Sequence, residues 1–161
     1  MTSAPPAEGT VLQLRRTLPA RREDVFRAWT QSDLFSQWFT PPRGESSAEL
    51  DARVGGTFSV EMRSPMAPTV RAEGTYLEVV PPERLVFTLT WQGYPFDTGE
   101  TLVTVEFRER EEMTEVVLVH ERQPSRLVHA CHWMGWRSCL RRLERGLATG
   151  RLPLARQSPV A

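Results

Sequence analysis

The sequence predicts an α+β fold: a curved antiparallel sheet of about seven strands wrapped around one long C-terminal helix, with two short helices after the first strand. Three observations carry this. From Ser46 to Arg122 apolar residues recur with a period of two, in runs separated by turn residues. Runs joined by short connections pair antiparallel, and such a sheet usually packs one face and solvates the other. The proline-free stretch Arg126 to Gly150 instead places Leu127, Trp133, Trp136, Leu140, Leu143 and Leu147 at spacings that share one helical stripe. A stripe with two tryptophans needs a broad hydrophobic surface, and this helix is the one element large enough to cover the sheet.

Residues 1–9 are small and proline-containing, and are expected to be a disordered lead-in to a single domain spanning 10–150. Thr10 to Leu18 alternates well enough for a first strand, which Pro19 ends. Ala20 to about Thr30 sets Val25, Phe26 and Trp29 on one side of a helix. A second helix begins at Ser32, a plausible N-cap, with Leu34, Phe35, Trp38 and Phe39 as its apolar set, and Pro41-Pro42 stops it. Ser46 to Arg53 is then a strand, with a tight turn at Val54-Gly55-Gly56 where glycine supplies positive φ. Thr57 to Arg63 returns, Ser64 to Thr69 is a loop, and Val70 to Val80 is the next strand, ended by Pro81-Pro82. Leu85 to Trp91, Thr101 to Phe107 and Thr114 to Glu121 complete the sheet. Between them lie the loop Gln92 to Glu100 and a charged turn, Arg108 to Met113. Gly150 offers a C-terminal stop for the last helix, and 151–161 is expected to be a flexible tail.

At 161 residues the chain is long enough to bury a real core in one domain. A formal net charge of zero gives no electrostatic case for a nucleic-acid partner. The first residues lack a basic region followed by an apolar run, and no apolar run reaches membrane-spanning length, so no membrane insertion is expected. Every basic residue is arginine and none is lysine, the codon-usage signature of a GC-rich genome. Cys131 and Cys139 fall eight residues apart on one helix, a rise of about 12 Å and beyond disulfide reach. Free thiols point to a reducing compartment and a cytoplasmic location.

Several stretches occur in a recognisable order. They are Val25-Phe26-x-Ala28-Trp29, Leu34-x-x-x-Trp38-Phe39, Asp51-x-Arg53-Val54-Gly55-Gly56-x-Phe58 and Gly74-x-Tyr76-x-Glu78-x-x-Pro81-Pro82-Glu83-Arg84-Leu85-Val86-Phe87, followed by Thr114-x-Val116-x-Leu118-x-His120-Glu121 and His132-x-x-Gly135-Trp136-x-x-x-Leu140-x-x-Leu143. From about Leu12 to Leu147 this set resembles the bacterial relatives of the activator of Hsp90 ATPase. That family lies within the START-like (SRPBCC, or polyketide cyclase and Bet v 1-like) helix-grip superfamily. The resemblance implies the same fold and a cavity between helix and sheet. Helix-grip domains bind lipids, hormones and polyketides, and some catalyse, so fold alone does not assign an activity.

The residues expected to line that cavity come from the inward strand faces and the helices. From the helices and the first inward strands they are Trp38, Phe58, Met62 and Tyr76; from the later strands Phe87, Leu89, Trp91, Val105 and Phe107; and at the helix–sheet seam His120, His132 and Trp136. The alternative for each aromatic is simple core packing. His120 and Glu121 point to opposite faces of the last strand, and His132 lies four residues before Trp136 on the helix. Facing histidines could bind a polar head or act as acid and base, or else anchor backbone groups at the seam. His129, Cys131 and His132 suggest zinc, but Cys131 is turned away from both histidines and no fourth ligand has motif spacing, so no metal or other cofactor is expected. No phosphate loop or nucleophile elbow is present, and Glu61, Glu73 and Glu106 alternate out onto a solvated face. Tyr94-Pro95-Phe96 either closes over the cavity as a lid or packs on its own sheet. The expected function is non-catalytic binding of a small hydrophobic or amphipathic molecule. The alternatives are a cyclase-, dehydratase- or hydrolase-like enzyme using the pocket histidines, and a co-chaperone-like module. A homodimer through an exposed sheet edge is a separate option.

Overall fold

Alternation in Leu12–Leu18 buries the two end leucines and leaves the arginines between them half-exposed or outside, which makes this segment β1. The computed structural model describes residues 11–152. After β1 come α1 (Arg22–Thr30) and α2 (Ser32–Trp38), then β2 (Glu45–Leu50), β3 (Thr57–Ser64), β4 (Ala67–Val80), β5 (Arg84–Gln92), β6 (Thr101–Arg110), β7 (Met113–Glu121) and α3 (Arg126–Thr149). The seven strands form one sheet in the order β1-β7-β6-β5-β4-β3-β2, antiparallel throughout. β1 and β2 are therefore its edges, and α1 and α2 carry the chain from one edge to the other.

The sheet bends along β4, whose pairing slips between Met62 and Ser64 on one side and between Tyr76 and Glu78 on the other. Such irregularities add local twist and re-aim the strand. Gly74 sits in this bend because nothing larger fits: a Cβ there would fall 1.8 Å from the Thr88 carbonyl oxygen and 2.5 Å from the Phe58 ring.

Several expectations change in detail. The tight turn at Val54-Gly55-Gly56 is present, with Gly55 at φ +82° and Gly56 N–H bonded to Arg53 O. β2 ends at Leu50 rather than Arg53, however, so the turn lies within a six-residue segment, 51–56, stitched to β4 by the Gly55 N–H to Tyr76 O and Tyr76 N–H to Gly56 O bonds. The loop foreseen over Ser64 to Thr69 shrinks to a turn at 65–66, and the charged turn to Glu111-Glu112. Ser32 is not a cap: Gln31 occupies that position, and the Ser32 hydroxyl accepts from Leu50 N–H, tying α2 to β2. The cap with side-chain chemistry is Ser125, whose Oγ accepts from Val128 N–H. Gly150, at φ +70°, terminates α3 in the left-handed conformation. Residues 1–10 and 153–161, which include most of the proposed lead-in and tail, lie outside the described residues. Leu152, assigned to the tail, instead folds back to bond Gly146 O and is buried.

Two corrections bear on the site. The buried stripe of α3 is Val128, His132, Trp136, Cys139, Leu140, Leu143, Gly146 and Leu147. Leu127 and Trp133 lie outside it, 56% and 38% exposed, and Arg137 stacks over the Trp133 ring. Nor does α3 cover the sheet alone. Trp29 and Trp38 from the short helices are fully buried, with Trp29 stacked on Trp136 and edge-on to Phe107. Phe35 packs on Trp38 and Phe39. These rings fill the middle of the concave face.

Candidate functional site

With the middle filled, the open volume is displaced to one end of the helix–sheet seam. There the chain leaving α2 (Phe39, Thr40, Pro41, Pro42), strands β3 and β5 (Met62, Leu89, Trp91), the 93–100 loop (Tyr94, Phe96, Thr98) and α3 enclose a cleft of about 330 Å³. Its walls are aromatic. Phe39 and Trp91 lie nearly parallel with centroids 6.1 Å apart, and Tyr94 meets the Trp91 ring edge-on. The loop is pinned by Thr98, whose hydroxyl accepts from Trp91 N–H at 3.2 Å. It thus packs its aromatics on its own sheet and in doing so builds one wall of the cleft.

The twelve residues foreseen for the cavity separate into three groups. Met62, Leu89, Trp91, His132 and Trp136 line the cleft. Phe58, Tyr76 and Phe87 pack edge-on or tilted against one another around a second void of only about 10 Å³, which Leu89 and Trp136 also border. Burial there holds the Tyr76 phenol above its ordinary pKa. Trp38, Val105, Phe107 and His120 are enclosed by other side chains and touch neither void. Trp38 turns its indole N–H to Ala28 O at 2.9 Å.

His120 and His132 do face each other, with ring centroids 4.2 Å apart, but their nitrogens are already engaged. An indole N–H can only donate. Trp136 Nε1 donates to His120 Nδ1 at 3.0 Å, so His120 carries its proton on Nε2, which lies 2.6 Å from Thr101 Oγ1; that hydroxyl in turn donates to Leu89 O. Trp91 Nε1 donates to His132 Nε2 at 3.0 Å, so the proton of His132 sits on Nδ1, 2.6 Å from Gln123 Oε1. The two rings are opposite tautomers, each saturated by side chains rather than by the backbone groups expected. Burial, with the neighbouring histidines as the lesser cause, pushes His120 down to about 2 and His132 down to about 4, keeping both neutral.

Other lining residues had not been foreseen. Cys131, Gly135, Ser138 and Arg142 recur at spacings of four, three and four, a helical stripe beside the buried one, and all four line the cleft. Their spacing was legible, but which neighbour the stripe would face was not. Arg142 donates to Ser138 Oγ at 2.6 Å. Cys139, fully buried, is pushed up to about 11 chiefly by desolvation, so its thiol stays protonated and a poor nucleophile near neutrality. Among the described residues no three His, Cys, Asp or Glu side chains gather to hold a metal, and no helix is long and apolar enough to cross a membrane.

A family model described as activator of Hsp90 ATPase homolog 1-like protein matches residues 19–148. A crystal structure from Chromobacterium violaceum is 26% identical with a TM-score of 0.78, covering 86% of this chain and 96% of that one. A crystal structure of the same activator-homologue type from Silicibacter pomeroyi is 23% identical with a TM-score of 0.77, covering 87% and 99%. A solution structure from Arthrobacter aurescens, 19% identical with a TM-score of 0.77 over 94% and 93%, shares the fold. No curated protein matches the sequence. With its sheet order, its α3 grip and a family match over most of its length, the chain belongs to the activator of Hsp90 ATPase homolog 1-like family and has the helix-grip fold.

Proposed function

We propose that this protein is a non-catalytic binding module for a small hydrophobic or amphipathic molecule, held in the cleft between α3 and the β3–β5 side of the sheet. The observation that carries this reading is the cleft itself, an aromatic-walled volume of about 330 Å³ left open in a core otherwise filled by rings. Packed interiors leave few voids of that size without use, and ligand sites are mostly apolar with a few placed polar groups. The family assignment adds support at the level of fold. An enzymatic role for the histidines is disfavoured, because acid–base work needs a free lone pair or proton and both rings spend theirs on protein partners. The two free cysteines, one exposed, support a reducing and hence cytoplasmic setting. The edge strands β1 and β2, which no further strand covers among the described residues, keep a homodimer within the proposal.

The test is a thermal-shift panel of lipids, flavonoids and polyketide-like compounds, with native mass spectrometry of the purified chain. A ligand at about 100 times its Kd adds about 2.7 kcal/mol, which raises the melting temperature of a domain this size by roughly 5–10 °C. A flat panel together with a native mass equal to the bare chain would end the proposal.

A further inference from the structure

The cleft changes character along α3. Trp91 and Tyr94 stand at the level of His132, to which Trp91 is hydrogen-bonded. Ten residues further on, about 15 Å along the helix axis, stands Arg142, the one charged side chain among the described residues of the lining. None of the ion pairs among the described residues includes Arg142. Its guanidinium directs one nitrogen to Ser138 Oγ at 2.6 Å and another to Cys139 Sγ at 3.9 Å. A guanidinium carries five N–H donors in a planar fork, so three remain, and Ser138, as acceptor, keeps its own proton to give. Thr40 is at the same end, its carbonyl 4.0 Å from Cys139 Sγ. That residue is 8% exposed, yet its hydroxyl finds no partner among the described residues. Buried hydroxyls are ordinarily paired.

Between the aromatic and the polar ends lies Gly135. A Cβ built there would meet nothing within 4 Å. Glycine weakens a helix interior relative to alanine, and no close packing in the fold requires it here. What its missing side chain leaves is clear space over the helix backbone, on the cleft wall.

We propose that the occupant of this cleft is an apolar monocarboxylic acid, its body lying over Gly135 toward Trp91 and its carboxylate held by the Arg142 guanidinium and the Ser138 hydroxyl, beside the buried Thr40 hydroxyl. One cation without a carboxylate partner offsets one negative charge, and its fork matches the planar carboxylate. A di- or trianionic head would bring charge that a single arginine does not balance. The proposal rests on the binding role inferred above and names the class of ligand for it.

Calorimetric titration of the full chain at pH 7.5 with 2-naphthoate and its neutral counterpart 2-naphthamide separates the two levels, with circular dichroism confirming that each variant is folded. The expected result is that naphthoate binds at least tenfold tighter than naphthamide. Arg142→Gln should erase that advantage while leaving the amide unchanged, Arg142→Lys should restore part of it, and Gly135→Phe should weaken both probes at least tenfold. Equal binding of acid and amide, unaltered by Arg142→Gln, would overturn the acid-head assignment and leave the cleft as a binding site. Failure of both probes to bind, or binding indifferent to Gly135→Phe, would overturn the assignment together with the reading beneath it.

Discussion

Two indole N–H groups decide the chemistry of the helix–sheet seam at the level of single residues. Because Trp136 and Trp91 can only donate, His120 and His132 must present lone pairs to them and remain neutral. Protonating either ring would set N–H against N–H in a buried place. The consequence is a pH dependence with a definite sign. Above the unfolded-state value of about 6.5 both rings are neutral in either state and titration has no effect. Below it the unfolded chain takes up protons that the native fold refuses until about pH 4 for His132 and about pH 2 for His120, so stability falls with falling pH. The loss should approach about 1.4 kcal/mol per pH unit for each ring. Urea denaturation at pH 7.5, 6.0 and 5.0 measures it, and His132→Gln, which can still accept from Trp91, should flatten the slope by about half. A stability indifferent to pH across that range would show that the rings are not held neutral. The tryptophans and histidines were legible as a seam cluster, since His132 and Trp136 are four apart on one helix. Their tautomers were not, because those follow from which donors happen to face them.

Among the elements, α3 shows what periodicity can and cannot say. A helix was legible from its spacing, lack of proline and terminal glycine. Its inward face was not, because apolar residues occur on more than one side. Leu127 and Trp133 fit a stripe with Trp136, but so do Val128, His132 and Cys139, and only the second set is buried. Trp133 stays outside, where Arg137 covers its ring. The start of the helix depends on Ser125, whose backbone is extended and whose Oγ takes the Val128 N–H. Ser125→Ala should cost about 1 kcal/mol of unfolding free energy, against about zero for an exposed control such as Arg126→Ala. Equal effects at the two positions would mean that the cap bond does not stabilise the helix. That cap was available in the sequence as a serine following Pro124, just before the helical period begins.

In the whole molecule, curvature and filling together set where a ligand could sit. The bend of β4 depends on Gly74, where a Cβ would strike the Thr88 carbonyl and the Phe58 ring. Gly74→Ala should therefore destabilise by about 3 kcal/mol, read by chemical denaturation, through displaced backbone rather than lost contacts. A near-neutral result would show that the sheet reaches its curvature by other means. The filling comes from α1 and α2, whose Trp29, Phe35 and Trp38 occupy the centre of the concave face and leave Phe58, Tyr76 and Phe87 around a void of about 10 Å³. By itself the sequence determined the element order, the antiparallel sheet and the family, because strand and helix periods, turn residues and caps are local properties of the chain. It also marked the seam as the place to look. Only the tertiary structure decided that the interior is closed at its centre and open at one end. How much room remains depends on how side chains distant in sequence, from Phe39 to Arg142, come to share one volume, and no local pattern encodes that sum.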